Sequence, residues 1–245
     1  TVLAQKAGGA VASLEAHSLA ERAANALVSY AGYLEKMFWP ANLAIVYPFS
    51  SGALPWWEVA GACVLLASIT LAAAAGYRRY PWLTAGWLWY LGTLVPVIGL
   101  VQVGLQAMAD RYTYVPLIGL FIMISWGVPE ALQRLRYRQV GLSVAAGAVL
   151  VMLVACSYVQ TGYWKNSITL FGHALEVTDE NAVAHSNMAS ALEVLGDLDG
   201  AVDHYNAAIR IDPHRAAYYN NLGFTLIRKG DLTEAANVCS RAVQL

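Results

Sequence analysis

Four long apolar runs, at 57–76, 82–103, 113–129 and 140–159, decide most of what this chain can fold into. Each is near the ~20 residues a helix needs to cross the hydrocarbon of a bilayer, the third being the shortest. In lipid every backbone N–H and C=O must find its partner inside the segment, so the runs are read as membrane helices. Composition agrees, with 58% hydrophobic and only 13% charged residues in 245, outside the usual range for a soluble domain. Tyr and Trp crowd the ends of the runs, at Trp56, Trp57, Tyr77, Tyr80, Trp82, Tyr112, Tyr114, Tyr158, Tyr163 and Trp164, where amphipathic rings suit the headgroup level. Pro96 is expected to kink the second run, since neighbouring helices can satisfy the carbonyl it frees.

Lys and Arg in the short loops set the orientation. Arg78 and Arg79 follow the first run, and Arg134, Arg136 and Arg138 follow the third, whereas the loop between holds Arg111 balanced by Asp110. The Arg-rich loops are therefore expected in the cytoplasm, and everything after Val159 on the extracytoplasmic side. Ahead of the runs, 18–40 reads as an amphipathic helix opened by the capping box of Ser18 and Glu21 and stopped at Trp39-Pro40. Leu19, Ala23, Leu27, Tyr30, Leu34 and Phe38 fall on one stripe, and Glu21, Arg22, Asn25, Ser29, Gly32, Glu35 and Lys36 on the other. Ionised groups cost ~2.5–3.5 kcal/mol each in lipid, which places this helix flat on the interface or against other helices.

After the last run the composition turns soluble and a repeat emerges. His185, Met188, Ala189, Leu192, Gly196, Ala201, Tyr205 and Ala208 recur 34 residues later as Tyr219, Leu222, Gly223, Leu226, Gly230, Ala235, Cys239 and Ala242. That is the tetratricopeptide pattern, in which small residues let two helices touch and large ones fill the gap between units. Projected backwards, the frame makes 162–177 a half repeat, ahead of a repeat at 182–215 and a truncated one at 216–245. About three units are usually needed for a stable array, so more repeats are expected beyond Leu245, and a start at Thr1 without a Met reads as a cut end as well. The chain is thus expected to be all-α, a polytopic membrane helix bundle followed by a tetratricopeptide α-solenoid. Its divisions are 1–56, a loop with the amphipathic helix, 57–159, four transmembrane helices, and 160–245, the repeats.

Two places carry candidate chemistry. The first is the polar hinge 108–116, where Asp110, Arg111, Tyr112 and Tyr114 sit at the membrane edge ahead of Pro116. A guanidinium offers a planar fork to the phosphate or pyrophosphate of a lipid whose tail stays in the bilayer. The same pair equally fits an intramolecular salt bridge that anchors a helix end. The second is Asn187 and Asn221, which share one position of the repeat; an amide there can give and accept a bond with an extended polypeptide, or bond the neighbouring helix instead. Gln102 and Gln106 suit a sugar contact. Cys63 and Cys156 sit in apolar runs as small hydrophobes, and the five histidines show no ligand spacing, so neither disulfide nor metal is expected. A net charge of −1 with no basic stripe excludes nucleic acid. No Gly-rich phosphate loop, nucleophile elbow or Ser-His pair is present.

Several segments together carry a family resemblance: Ala26-Leu-Val-Ser-Tyr-Ala-Gly-Tyr-Leu-Glu-Lys-Met-Phe-Trp-Pro40 leading to Tyr47-Pro48, then Trp87-Leu-Trp-Tyr-Leu-Gly-Thr-Leu-Val-Pro-Val-Ile-Gly-Leu100, then Ala109-Asp-Arg-Tyr-Thr-Tyr-Val-Pro116 and the repeats. The chain resembles the transmembrane and tetratricopeptide (TMTC-type) proteins and their bacterial relatives, with Asp110 standing where animal members usually have Glu and Gly119 fitting the small residue that follows the hinge. The resemblance implies a GT-C-like membrane part and transfer of mannose from a polyprenyl-phosphate-linked sugar to Ser/Thr of a polypeptide held by the repeats. It implies donor-phosphate contact by Arg111, with Asp110, Tyr112 and Tyr114 around it, and acceptor contact by Asn187 and Asn221 is expected from their shared repeat position. No other cofactor is implied, and the catalytic carboxylates are expected upstream of this chain. A bacterial inner membrane location with the repeats outside follows. The alternatives are a non-catalytic envelope scaffold, and a ligase acting on lipid-linked glycans.

Overall fold

The computed structural model describes residues 18–49, 54–99, 106–134 and 137–245. They fall into two compact units, one holding the described residues of Thr1–Ala41 and Gly52–Val159, the other those of Asn42–Ser51 and Gln160–Leu245. Gln102, Arg136 and the last residues of the second apolar run lie outside the described residues.

The first unit opens with α1, Leu19–Phe38. Its capping box is complete: Ser18 Oγ accepts from Glu21 N at 3.3 Å, and Glu21 Oε2 accepts from Ser18 N at 2.9 Å. The faces differ from the expectation. Arg22, Asn25 and Ser29 are buried, together with Ala26, Tyr30, Tyr33 and Leu34, while Leu19 and Phe38 are exposed. A helix among apolar helices gains by turning its polar atoms inward, where carbonyls can be reached, and Arg22 Nε donates to Gly99 O at 3.3 Å. Among the described residues, Asn25 Nδ2 is buried there without a hydrogen-bond partner.

Four apolar helices follow: α2 Trp56–Ala75, α3 Pro81–Leu94, α4 Pro116–Ala131 and α5 Arg138–Tyr163. By length and composition, α2 and α5 are the two long and apolar enough to cross a membrane. The 26 residues of α5 include none that is buried, and an unburied helix that is apolar all round has no stable place in water. The second run does not continue as a kinked helix. It stops at Leu94, because Pro96 has no N–H to give the Gly92 carbonyl, and residues 95–99 close as turns with Val97 N and Ile98 N both on Leu94 O. At 14 residues α3 spans about 21 Å and at 16 residues α4 about 24 Å, each short of the ~30 Å hydrocarbon core.

Packing of the unit rests on hydroxyls as well as on area. Tyr30 OH donates to Leu91 O and Tyr90 OH donates back to Tyr30 O, each at 2.7 Å, locking α1 to α3. Trp87 stacks on Tyr90 and donates its indole N–H to Thr70 Oγ1 of α2 at 2.9 Å. Helices α3 and α4 meet at Gly86 and Gly119, each so close to the carbonyl oxygen of the other that neither position has room for a Cβ.

The second unit is the repeat array: α6 Ser167–Val177, α7 Ala182–Leu195, α8 Leu198–Ile211, α9 Ala216–Lys229 and α10 Leu232–Gln244. Helix α6, opened by an Asn166–Thr169 capping box, packs on α7. Gly196 and Gly230 take φ of +85° and +95° and end α7 and α9, 34 residues apart, because only glycine adopts this C-cap conformation cheaply. Ala189 and Ala201 are fully buried, and a Cβ at Gly223 would collide with Cys239 Sγ. Residues 42–49, part of the 1–56 loop division in the sequence, fall in the same compact unit as the repeats. Asn181, 1% exposed, donates to Val46 O at 3.0 Å and Thr178 Oγ1 at 2.9 Å, and accepts from Ala184 N at 2.9 Å.

Candidate functional site

The hinge is held by a tyrosine on another helix. Tyr33 OH of α1 accepts from Ala109 N at 3.0 Å and donates to Ala109 O at 3.3 Å, so one phenol satisfies both backbone groups of a residue that is fully buried. Burial pushes the Tyr33 phenol up to about 12, opposed by the Ala109 backbone bond and reinforced by the Asp110 charge. It stays a neutral donor and acceptor at any physiological pH.

From that fixed point the chain makes a single 3-10 turn, Asp110–Tyr112, closed by Thr113 Oγ1 donating to Asp110 O at 2.7 Å. Tyr112 OH accepts from Gln106 Nε2 at 2.9 Å. Arg111 is exposed, its Cζ 5.2 Å from the Tyr112 ring centroid. Among the described residues no carboxylate lies within ion-pair distance of it, so Asp110 does not hold Arg111 as a salt bridge; the aromatic ring does. Tyr114 is 79% exposed, and Trp89 Nε1 of α3 donates to Val115 O at 2.9 Å just before α4 begins. Of the four hinge residues, Arg111 and Tyr114 are exposed, while Tyr112 is half-buried behind Arg111 and Asp110 is half-buried with its Oδ1 shielded from solvent. Gln106, offered as a sugar contact, is used to position Tyr112.

The repeats present a groove of about 240 Å³ lined by Ser190 and Glu193 of α7, Tyr205 of α8, Asn220, Asn221, Phe224 and Ile227 of α9, and Cys239 of α10. Phe224 and Ile227 are more than half exposed, an apolar floor without a cover. Glu193 is fixed by Tyr205 OH at 3.3 Å and Arg228 Nη1 at 3.1 Å. Burial first, then the Glu193 charge, raises the Tyr205 phenol. Asn221 lines the groove. Asn187 does not: its Nδ2 donates to Val183 O at 2.8 Å, one turn back in its own helix. The two amides predicted as a ladder are therefore used differently.

Sequence reasoning missed two features. Tyr33 as the hinge's anchor has no local signature, since its partner lies 76 residues away. His185 and His204 meet with Nδ1 atoms 3.0 Å apart, which the repeat frame implies, because it pairs those positions across the two helices of one unit. Burial lowers both imidazoles; His204 and Arg210 lower His185 further, whereas Asp203 and Asp197 pull His204 back up.

Apolar helices that demand lipid, running through α5 into a tetratricopeptide array, define the class: a membrane-anchored repeat protein. Residues 194–230 match the TPR repeat family and residues 216–245 the Tetratricopeptide repeat family. Over 209 residues the chain is 27% identical to Protein O-mannosyl-transferase TMTC1 of Mus musculus, covering 80% of this chain and 22% of that protein. The TMTC1 of Homo sapiens is likewise 27% identical, over 80% of this chain and 23% of its own length. Protein O-mannosyl-transferase Tmtc3 of Drosophila melanogaster is 26% identical over 73% of this chain and 18% of its own. The chain is thus similar to the TMTC protein O-mannosyl-transferases over most of its length, and spans about a fifth of the length of these curated relatives. Among solved structures it is similar to MamA MSR-1 C2, at 18% identity and a TM-score of 0.33, covering 69% of this chain and 94% of that one.

Proposed function

We propose that this chain is part of an integral membrane glycosyltransferase that moves a mannose-like sugar from a polyprenyl-phosphate donor to a hydroxyl of a polypeptide, with the repeats holding the acceptor. The observation that carries the reading is Arg111, exposed on a rigid turn, stacked on Tyr112 and unclaimed by any described carboxylate. A guanidinium so placed offers its fork to phosphate oxygens, while the apolar helices around it suit the prenyl tail.

In the proposed reaction the acceptor oxygen attacks the anomeric carbon as the bond to the phosphate oxygen breaks. The hydroxyl proton goes to a carboxylate outside this chain. The electron pair leaves with the polyprenyl phosphate, whose growing charge Arg111 stabilises. Asn221 and Phe224 of the groove hold the acceptor, one by an amide bond and the other by an apolar contact. Both sites lie on the extracytoplasmic side in this reading, in a bacterial inner membrane.

The test is Arg111→Ala and Arg111→Lys in the full-length protein, with transfer from polyprenyl-phosphate mannose and membrane insertion both measured. A loss of about 10²–10³-fold in turnover with normal insertion is expected, since that is what removing one donor to a developing oxyanion costs. Unchanged transfer refutes the assignment. Full-length protein that binds polypeptide without any transfer is instead a non-catalytic scaffold, the reading its uncovered groove favours.

A further inference from the structure

The two histidines of the first full repeat are an odd pair for their positions. In the second repeat the same positions, 34 residues on, hold Tyr219 and Val238, the latter packed against the repeat core. Here two imidazoles stand in their place, half-buried, with ring centroids 5.2 Å apart, an interplanar angle of 40° and Nδ1 facing Nδ1 at 3.0 Å. As neutral rings they can share one hydrogen. One Nδ1–H donates to the lone pair of the other Nδ1, which holds the two nitrogens side by side across the α7–α8 contact.

That separation is set by simple trigonometry if a metal replaces the hydrogen. With metal–nitrogen bonds of about 2.0–2.1 Å, two ligands at right angles sit about 2.9 Å apart and two at the tetrahedral angle about 3.3 Å apart. The observed 3.0 Å falls inside that interval, so ring rotation alone, with the helix spacing kept, brings both lone pairs onto one metal. We propose that His185 and His204 chelate a divalent first-row transition metal through their Nδ1 atoms, Cu²⁺ foremost.

Binding needs no redox partner and no net proton. The ring that carries its hydrogen on Nδ1 moves it to Nε2, both Nδ1 lone pairs bind the metal, and two aqua ligands leave. Burial favours the neutral rings, the form that ligates. Asp197 and Asp203 supply nearby negative charge, and Arg210 the opposing positive one. Among the described residues no third His, Cys, Asp or Glu joins the pair, so water completes the coordination and the site is open rather than a cage. Imidazole donors at right angles suit Cu²⁺, and the Irving–Williams order ranks Cu²⁺ above Ni²⁺ and Zn²⁺ for such a site. The metal ties α7 to α8, the two helices that carry Ser190, Glu193 and Tyr205 to the groove. The inference stands on this geometry alone, independent of the transferase reading.

The test uses the full chain in detergent micelles, titrated with Cu²⁺, Ni²⁺, Zn²⁺ and Mg²⁺, alongside His185→Tyr and His204→Val. These substitutions install what the second repeat already carries, so the array keeps its fold, and thermal unfolding without metal verifies it. The expected result is one Cu²⁺ per chain with two-nitrogen hyperfine structure in its electron paramagnetic resonance spectrum, a raised melting temperature, no response to Mg²⁺, and at least about a tenfold loss of affinity in either variant. Copper bound equally by wild type and both variants, or no saturable site in wild type, overturns the proposal.

Discussion

A methyl group at Gly86 is the sharpest probe of how the membrane unit is held together. A Cβ built there runs into the carbonyl oxygen of Gly119 and comes within 2.6 Å of Met123 Cγ and 3.2 Å of the Gly119 carbonyl carbon. The first of these is backbone, which cannot rotate away, so α3 and α4 must part. Gly92 lies in the same helix with nothing within 4 Å of its Cβ position. Both glycines gain about 0.5–1 kcal/mol of helix preference on becoming Ala, and that gain cancels when the two variants are compared. What remains is overpacking at the crossing, about 1–3 kcal/mol. At about 2–4 °C per kcal/mol for a chain of this size, Gly86→Ala is expected to melt about 2–12 °C below Gly92→Ala in the same detergent. Splaying the helices also pulls Trp89 away from Val115 O, so indole emission of Gly86→Ala should shift toward that of a solvated ring. Equal melting of the two variants, within about a degree, would falsify the claim that this contact sets the helix spacing.

Other perturbations have equally definite outcomes. Tyr33→Phe strips Ala109 N–H and C=O of their buried partner and is expected to cost about 1–3 kcal/mol in chemical denaturation, with little effect if the hinge is free to reach water. Asn181→Ala releases Val46 O and removes the N-cap of α7, so limited proteolysis is expected to open residues 42–49 first; cleavage unchanged from wild type counts against the docking. The histidine pair sets an acid limit on the array. Both folded imidazoles titrate below the ordinary 6.5, so the unfolded chain takes up more protons as pH falls through that value. Stability is therefore expected to be level above pH 6.5 and to decline below it, toward the lowered folded values, when a chelator is present. His185→Tyr should flatten that decline, and a profile unchanged by the substitution refutes it.

What was legible in the sequence followed from periodicity and from residues that act locally. The capping box at Ser18 and Glu21, the glycines at 196 and 230 and the small residues at 189 and 201 each work through neighbours a few positions away, and each is used as its spacing implied. The faces of α1 were not legible. An amphipathic stripe marks two different sides, but which side turns inward depends on whether the surroundings are water or apolar helices. Arg22, Asn25 and Ser29 turned inward because other helices, rather than solvent, surround them. Length was the other limit, because apolar residues continue past Leu94 while the helix does not, and hydropathy registers only the first. At the candidate site, the exposure of Arg111 and its place on a turn were legible from Pro116 and the polar run before it. Its partner was not, since a neighbouring Asp and a neighbouring Tyr compete for the same guanidinium, and backbone geometry decides between them.

Hydrogen bonds from three side chains hold the hinge in place. A cationic edge binds a phosphate well only if the charge is already in place, because ordering it on binding would cost side-chain and backbone entropy. Here the turn that carries Arg111 is fixed from three directions: Tyr33 of α1 at Ala109, Gln106 at Tyr112, and Trp89 of α3 at Val115. Helices α1 and α3 are themselves locked by the reciprocal Tyr30 and Tyr90 bonds. A change at Tyr90, in the buried core of this unit, is therefore expected to reach the hinge. Tyr90→Phe keeps the ring and its stacking on Trp87 but removes the side-chain hydrogen bond to the Tyr30 carbonyl that ties α3 to α1. If the hinge holds a lipid phosphate by preorganisation, this variant weakens polyprenyl-phosphate binding while Arg111 is untouched. If it holds the phosphate by charge alone, affinity is unchanged and only thermal stability falls.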